Sequence, residues 1–239
     1  MAFVQQVEVS SAAAPGSVTT GSITTTAGNL LVMVIQFDDV QTPVITTSQA
    51  NSFVRIVGAT ADTGAGARVK LQTYYATANG GATTFTLTVG GTGMALYVAE
   101  YSGGTIYVNG AGNGAFQNGP GSGANTIVTG NVGAAGPVLL FAFSCCAQLN
   151  VASTAGTIPL AFTGRTTVWG TRGSGTAIGT PEDISITGNG GGTFGITGGG
   201  AAELWVSVAA AFSTNASGAA PPTPFTPTQF FVTDTIIQQ

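Results

Sequence analysis

The residues that could carry chemistry in this chain of 239 amino acids are two adjacent cysteines, nine acidic side chains and five basic ones. The chain contains no histidine, which excludes Ser-His-Asp and Cys-His triads, histidine-ligated zinc and histidine proton shuttles. A glycosidase needs two carboxylates that meet across a cleft, and a calcium site needs clustered oxygen ligands. The sequence candidates for either role are the acidic pairs Asp38-Asp39 and Glu182-Asp183.

Glu182-Asp183 is the better calcium candidate of the two pairs, because it follows Pro181 and is expected in a turn. Neighbouring carboxylates in loops are usually solvated, so a solvated pair without a ligand is the favoured interpretation for both. Glu100 differs, since it lies in the strand-like stretch 97–102, where a charge requires a partner. The expected partners are the cations Arg55, Arg68 and Lys70.

The remaining motifs predict no active site. Cys145 and Cys146 are adjacent, and neighbours on a strand point to opposite faces, so we expect small apolar residues rather than a disulfide or redox pair. Residues 190–195 match the letters GxGxxG, but that dinucleotide motif needs a helix after the glycines. A strand is expected there instead, which makes the match a Gly-rich turn. No catalytic residue, cofactor or metal is predicted, and the protein is not expected to be an enzyme.

Two aromatic residues are candidate glycan contacts. Tyr107 and Trp169 stand in Gly-rich surroundings, whereas most other aromatic residues occupy strand positions and are assigned to the core. A carbohydrate-binding or adhesive β-sandwich, with a cell-surface glycan as partner, is therefore the alternative function.

The charge balance limits the partners. Charged residues make up 6% of the chain against about 25% in an average soluble domain, and the net charge is −4. Five scattered cations cannot neutralise a run of phosphates, so neither nucleic acid nor an anionic membrane is an expected partner. The longest apolar stretches, 30–35 and 138–143, fall short of the ~18 residues of a membrane helix. The first residues lack the pattern of a secretory signal, so synthesis in the cytoplasm without export is expected.

The elements that would position these residues are short strands. In Thr84 to Val89 threonines alternate with Phe85, Leu87 and Val89, which predicts a half-buried strand. The apolar run 30–35 is bounded by turn residues and predicts an inner strand, with a buried helix as the alternative. The expected fold is all-β, an antiparallel β-sandwich of jelly-roll type.

An internal repeat divides the predicted sandwich, residues 1–214, into halves at about 8–103 and 125–214. The segments that recur in the same order are 27–34 with 135–142, 85–88 with 194–197, and 100–102 with 211–213. The pattern fits one sandwich whose two sheets are related by a pseudo-twofold axis, or two tandem small sandwiches. The single sandwich is favoured, because the Gly-rich stretch 103–125 is suited to connect one sheet edge to the other.

The last residues have a different composition. A Pro-rich linker over 215–227 predicts an extended, semi-rigid spacer, and residues 228–239 predict a strand that we call the C-terminal arm. This arm could pair with its own sheet or augment a neighbouring subunit. Its apolar assembly residues are Phe230, Phe231, Val232, Ile236 and Ile237.

These landmarks together resemble a known group of proteins. The stretches 28–32, 74–76, 84–89 and 100–103, with their second-half echoes, are similar to the Thr/Gly/Ala-rich β-sandwich structural proteins of tailed phages and prophages. The resemblance covers roughly residues 8–214 and implies a non-enzymatic virion component of decoration or fibre type. It implies a homo-oligomer that contacts other virion proteins of the capsid, tail or fibre, and it supplies no catalytic residues.

Overall fold

Strands account for all the regular secondary structure in the part of the chain that the computed structural model describes. That part comprises residues 1–11, 16–37, 42–62, 68–90, 93–103, 107–117, 125–128, 132–134, 137–146, 154–158, 163–165, 168–172, 175–186, 190–192, 195–198 and 204–213. Every strand pair within it is antiparallel. The all-β prediction is confirmed, and the helix alternative for residues 30–35 is wrong.

The strands fall into two consecutive groups. The first group is β1 (Ala2–Ser11), β2 (Ser17–Thr19), β3 (Ile23–Thr25), β4 (Leu30–Phe37), β5 (Val44–Thr47), β6 (Val54–Asp62), β7 (Arg68–Thr77), β8 (Gly81–Thr83), β9 (Phe85–Thr88) and β10 (Met94–Ser102). The second is β11 (Tyr107–Gln117), β12 (Asn125–Val128), β13 (Val132–Ala134), β14 (Val138–Cys146), β15 (Thr154–Ile158), β16 (Thr163–Gly164), β17 (Val168–Arg172), β18 (Gly175–Ile186), β19 (Gly190–Gly192), β20 (Gly195–Gly198) and β21 (Leu204–Ser213).

Each group forms one large sheet and two small ones. Sheet 1 has the order β1-β10-β4-β7-β6, and its small companions are β2-β9-β5 and β3-β8. Sheet 2 has the order β11-β21-β14-β18-β16, with β17 also paired to β18, and its companions are β12-β20-β15 and β13-β19. Among the described strands, no ladder joins the first group to the second.

The two large sheets stack face to face on a shared apolar layer. Tyr97 of sheet 1 lies between Phe141 and Phe143 of sheet 2, with ring centroids 6.3 and 6.1 Å away. Tyr75 packs on Phe212 at 6.2 Å in the same layer. The fully buried members are Leu30, Val32, Val34, Leu71, Ala95, Tyr97, Ala99, Tyr101, Leu139, Phe141, Phe143, Val208, Ala210 and Phe212.

Sheet 1 is covered on its second face as well. Leu31, Met33 and Ile35 point away from sheet 2 and pack with Phe85 and Leu87 of the three-stranded sheet. Because both faces are covered, every residue of β4 is buried, which explains the apolar run over its first six residues, 30–35. The alternation predicted for Thr84 to Val89 is confirmed, since Phe85, Leu87 and Val89 are buried there.

The chain between the halves departs from expectation. The connector expected over 103–125 is wrong in part, because Tyr107–Gln117 forms β11 and pairs along β21. A Gly- and Ala-rich sequence can form this strand because the ladder with β21 is made by backbone groups, which every residue of the segment supplies. The Gly-rich turn expected at the GxGxxG stretch is wrong in part, because Gly190–Gly192 forms β19. The strand expected after these glycines is β20.

Candidate functional site

Glu100 is a buried carboxylate on β10 that is held by neutral donors. Its Oε1 accepts hydrogen bonds from the Thr26 backbone N–H at 2.8 Å and from Asn29 Nδ2 at 2.7 Å. Its Oε2 accepts from Gln5 Nε2 at 2.5 Å. The prediction that Glu100 pairs with Arg55, Arg68 or Lys70 is therefore wrong. The amides and a backbone N–H replace the expected cation because the turn 26–29 folds directly over the carboxylate.

This carboxylate ties three segments together. Gln5 lies on β1, Thr26 and Asn29 lie in the turn before β4, and Glu100 lies on β10. The same turn is closed by Gly28, whose φ of 86° lies in the left-handed region that glycine adopts without strain. Glu100 is fully buried and both of its oxygens accept hydrogen bonds, so it fixes the turn and the edge strand β1 to β10.

A second polar cluster crosses between the large sheets. Asp183 on β18 accepts from Arg165 Nε at 2.5 Å and Nη2 at 2.6 Å, which is a bidentate ion pair. The Tyr101 hydroxyl of β10 donates to the same carboxylate at 2.9 Å. Glu182-Asp183 therefore does not lie in a turn, and both the favoured interpretation as a solvated pair and the calcium alternative are wrong. Both residues are buried in the middle of a strand, and Asp183 is occupied by Arg165 and Tyr101.

The protonation states in this cluster are fixed by burial and by the ion pair. Burial raises the pKa of Tyr101 well above its usual range, and the nearby Tyr97 and Asp183 raise it further. The hydrogen bond to Asp183 raises the pKa of Arg165. The phenol thus stays a donor and the guanidinium stays charged at ordinary pH, so the cluster works as a permanent link between sheets.

An open pocket of about 380 Å³ lies beside this link. It is lined by Phe3, Gln5 and Gln6 of β1, by Gly164 of β16 and by Arg165. These are the edge strands of the two large sheets, so the pocket marks a seam between them, which we call the β1–β16 seam.

Side chains of the protein already fill part of the pocket at the β1–β16 seam. The guanidinium of Arg165 lies 3.8 Å above the centroid of the Phe3 ring, and Phe3 meets Tyr101 edge-on at 5.9 Å. One face of the only aromatic ring that lines this pocket is thus covered. A sugar needs a free ring face on which to stack, whereas an extended peptide needs a backbone edge, which β1 provides.

Exposed apolar side chains share a position in the fold. Among the described residues, the large hydrophobic side chains that are exposed are Val4, Val44 and Val54, at 45%, 54% and 53%. Val4 is on β1, Val44 on β5 and Val54 on β6, and each of these strands is at the edge of its sheet. Edge strands are usually protected by charges or prolines, because their unpaired backbone groups attract other strands.

The sequence-predicted site residues are not all placed. Tyr107 lies at the start of β11 and Trp169 in β17, so they belong to opposite edges of sheet 2, and their side chains lie outside the described part of the structure. Cys145 and Cys146 end β14, a strand as predicted. Asp38-Asp39 and the arm residues Phe230, Phe231, Val232, Ile236 and Ile237 lie outside the described residues.

Sequence reasoning missed the polar link between the sheets. Asp183, Arg165 and Tyr101 are far apart in the chain, and nothing in their spacing shows that two sheets bring them together. The available signal was an acidic pair followed by Ile184, Ser185 and Ile186, an alternation that is typical of a strand.

Comparison of the chain with protein-family models, with curated proteins and with solved structures gave no match. Within the described residues, no helix is long and apolar enough to cross a membrane, and no group of three or more metal-ligating side chains is found.

Proposed function

We propose that this protein is a non-enzymatic virion structural protein that builds or decorates a phage capsid, tail or fibre and acts as a homo-oligomer. The observation that carries the proposal is the set of exposed valines on edge strands, Val4, Val44 and Val54. Pro43 precedes Val44 and Arg55 follows Val54, whereas Val4 stands between Phe3 and Gln5 with no charge or proline beside it. The edge at β1 is therefore suited to pair with another protein, because natural monomers usually protect such edges.

The charge content supports the same role. With only five basic and nine acidic residues, many copies can stand side by side without strong mutual repulsion. Two of the described charges, Arg165 and Asp183, are used inside the fold, where Asp183 accepts from Tyr101 of sheet 1 and Arg165 lies over Phe3 of the same sheet. A rigid stack of sheets with weakly charged outer strands is suited to a repeated building block of a particle, and we place it in virions made in the cytoplasm.

We also propose that the two strand groups are copies of one jelly-roll-like unit. The path β1-β10-β4-β7 in sheet 1 corresponds to the path β11-β21-β14-β18 in sheet 2. The labels of corresponding strands differ by ten before β16 and by eleven after β17, because β16 and β17 together take the place of β6. The small sheets correspond in the same way. Leu30 pairs with Thr77 and Tyr101, and Leu139 pairs with Ser185 and Phe212, which sets the equivalences.

The oligomeric state tests this proposal. We expect size-exclusion chromatography with light scattering to give a stable oligomer for the full chain and a smaller species when residues 221–239 are deleted. Mass spectrometry of particles purified from the source should find the chain in many copies per particle. A full chain that is monomeric at every concentration, and absent from particles, would overturn the proposal.

A glycan-binding or adhesive module is the second candidate. Its support is the sequence context of Tyr107 and Trp169, together with the amide side chains Gln5 and Gln6 at the β1–β16 seam. A glycan array distinguishes the two functions, because a structural protein should give no signal that depends on Trp169. Loss of a positive signal in Trp169→Ala, with the oligomer unchanged, would favour this candidate.

A further inference from the structure

The last described residue, Ser213, lies on the same sheet as one side of the β1–β16 seam. β21 ends at Ser213, which pairs with Val138, and Val138 pairs with Ile186. Two strand spacings of about 4.8 Å thus separate Ser213 from the end of β18. At that end Ser185 Oγ donates to the Met1 carbonyl at 2.5 Å, so β1 starts there as well.

The seam has the features that an added strand requires. β1 is the longest edge strand of sheet 1, and it pairs with β10 on one side only. Across the pocket, Gly164 presents no side chain that could block a backbone. The exposed Val4 lies between Phe3 and Gln5, which both line this pocket.

We infer that the seam of one subunit binds the C-terminal arm of a neighbouring subunit as an additional strand on β1. The inference rests on the proposed function and names the contact by which copies join. The arm would place alternate side chains, among them Phe230, Val232 and Ile236, on one face of the added strand. Its single charged residue is Asp234, so the arm would bring only one charge into the seam.

The length of the linker favours a neighbour over the chain's own arm. Extended at about 3.1 Å per residue, the linker 215–227 spans about 40 Å. To pair antiparallel in its own subunit, the arm must first travel along β1, about 34 Å for ten residues, after crossing two strands. That antiparallel path takes up the whole extended linker. A shorter path, in which the arm enters at the start of β1, would give a parallel pair, whereas every described strand pair is antiparallel. The arm of a second copy has no such restriction.

Cysteine cross-linking on the full chain tests the contact. In a Cys145→Ser, Cys146→Ser background, a chain with Val4→Cys is mixed with a chain with Ile236→Cys under mild oxidation. We expect a disulfide-linked heterodimer on a non-reducing gel. Val54→Cys, at the opposite edge of the same sheet, is the matched control and should give at least about tenfold less product.

The outcomes separate this inference from the proposed function. A chain that carries both Val4→Cys and Ile236→Cys and forms only an internal disulfide would show that the arm pairs with its own subunit, which overturns the inference. Cross-linking to Val54→Cys but not to Val4→Cys would overturn it too, because another edge would be the acceptor. In both cases an oligomer that persists leaves the structural role intact, whereas a monomer at all concentrations defeats the role itself.

Discussion

Removal of Arg165 should destabilise the protein more than removal of its partner. In Arg165→Gln the carboxylate of Asp183, whose side chain is 6% exposed, stays buried and keeps only the Tyr101 hydroxyl. Breaking a buried ion pair in this way costs about 3–5 kcal/mol of unfolding free energy. In Asp183→Asn the amide oxygen still accepts from Tyr101, and Arg165, 20% exposed, can turn to water. Its cost should be about 1.5–3 kcal/mol.

Urea denaturation of the two variants and of the double variant measures these differences. We expect the double variant to cost less than the sum of the single ones, because neither charge is then left alone. Near-ultraviolet circular dichroism should confirm that each variant keeps its packed aromatic residues before it unfolds. A cost below about 1 kcal/mol for Arg165→Gln, or a larger cost for Asp183→Asn, would refute the view that the link is buried and asymmetric.

Three further predictions concern stability. Glu100→Gln should cost about 1.5–3 kcal/mol in urea denaturation, because an NH₂ group would then face one of the donors that Glu100 accepts from; an unchanged midpoint would contradict this. Gly80→Ala should cost at least 1–2 kcal/mol, since its φ is 83° and an added Cβ would meet the neighbouring turn at 3.1 Å, whereas Gly21→Ala, in open space, should be nearly neutral. Above about pH 10 stability should fall by about 1.4 kcal/mol per pH unit for each of Tyr97 and Tyr101, because the unfolded phenols ionise while burial raises the pKa of both in the fold. Thermal unfolding from pH 8 to 11 checks the sign, and Tyr97→Phe should reduce the slope.

The strands of the first group could be predicted because local sequence sets their periodicity. The run 30–35 in β4 is apolar without interruption because both faces of β4 are covered, and Phe85–Thr88 alternates because one face is covered. β11 could not be predicted in this way. Its sequence is mostly Gly, Asn and Ala, so its strand conformation depends on pairing with β21, which lies about a hundred residues away in the chain.

The register of the repeat shows a second limit. The sequence repeat aligns Leu30 with Val138. In the structure, Leu30 lies between the large sheets, whereas Val138 faces the other side of sheet 2. Leu139 shares the layer of Leu30 and is its counterpart under the proposed duplication. Because side chains alternate across a strand, an error of one residue exchanges the two faces, and an apolar run carries no signal that fixes the register.

The proposed duplication gives the seams a consequence for assembly. Tyr75 precedes Thr77 by two residues and Asp183 precedes Ser185 by two, so the Tyr75–Phe212 contact and the Asp183–Tyr101 contact are equivalent places in the stack. The Tyr75–Phe212 contact is an aromatic pair. The Asp183–Tyr101 contact includes the ion pair with Arg165 and lies beside the pocket. If the pocket accepts an arm, a subunit offers one acceptor seam rather than two equivalent ones. Each copy then donates one arm and receives one, and this head-to-tail pattern closes into a ring or continues as a filament, which light scattering and electron microscopy of the full chain distinguish.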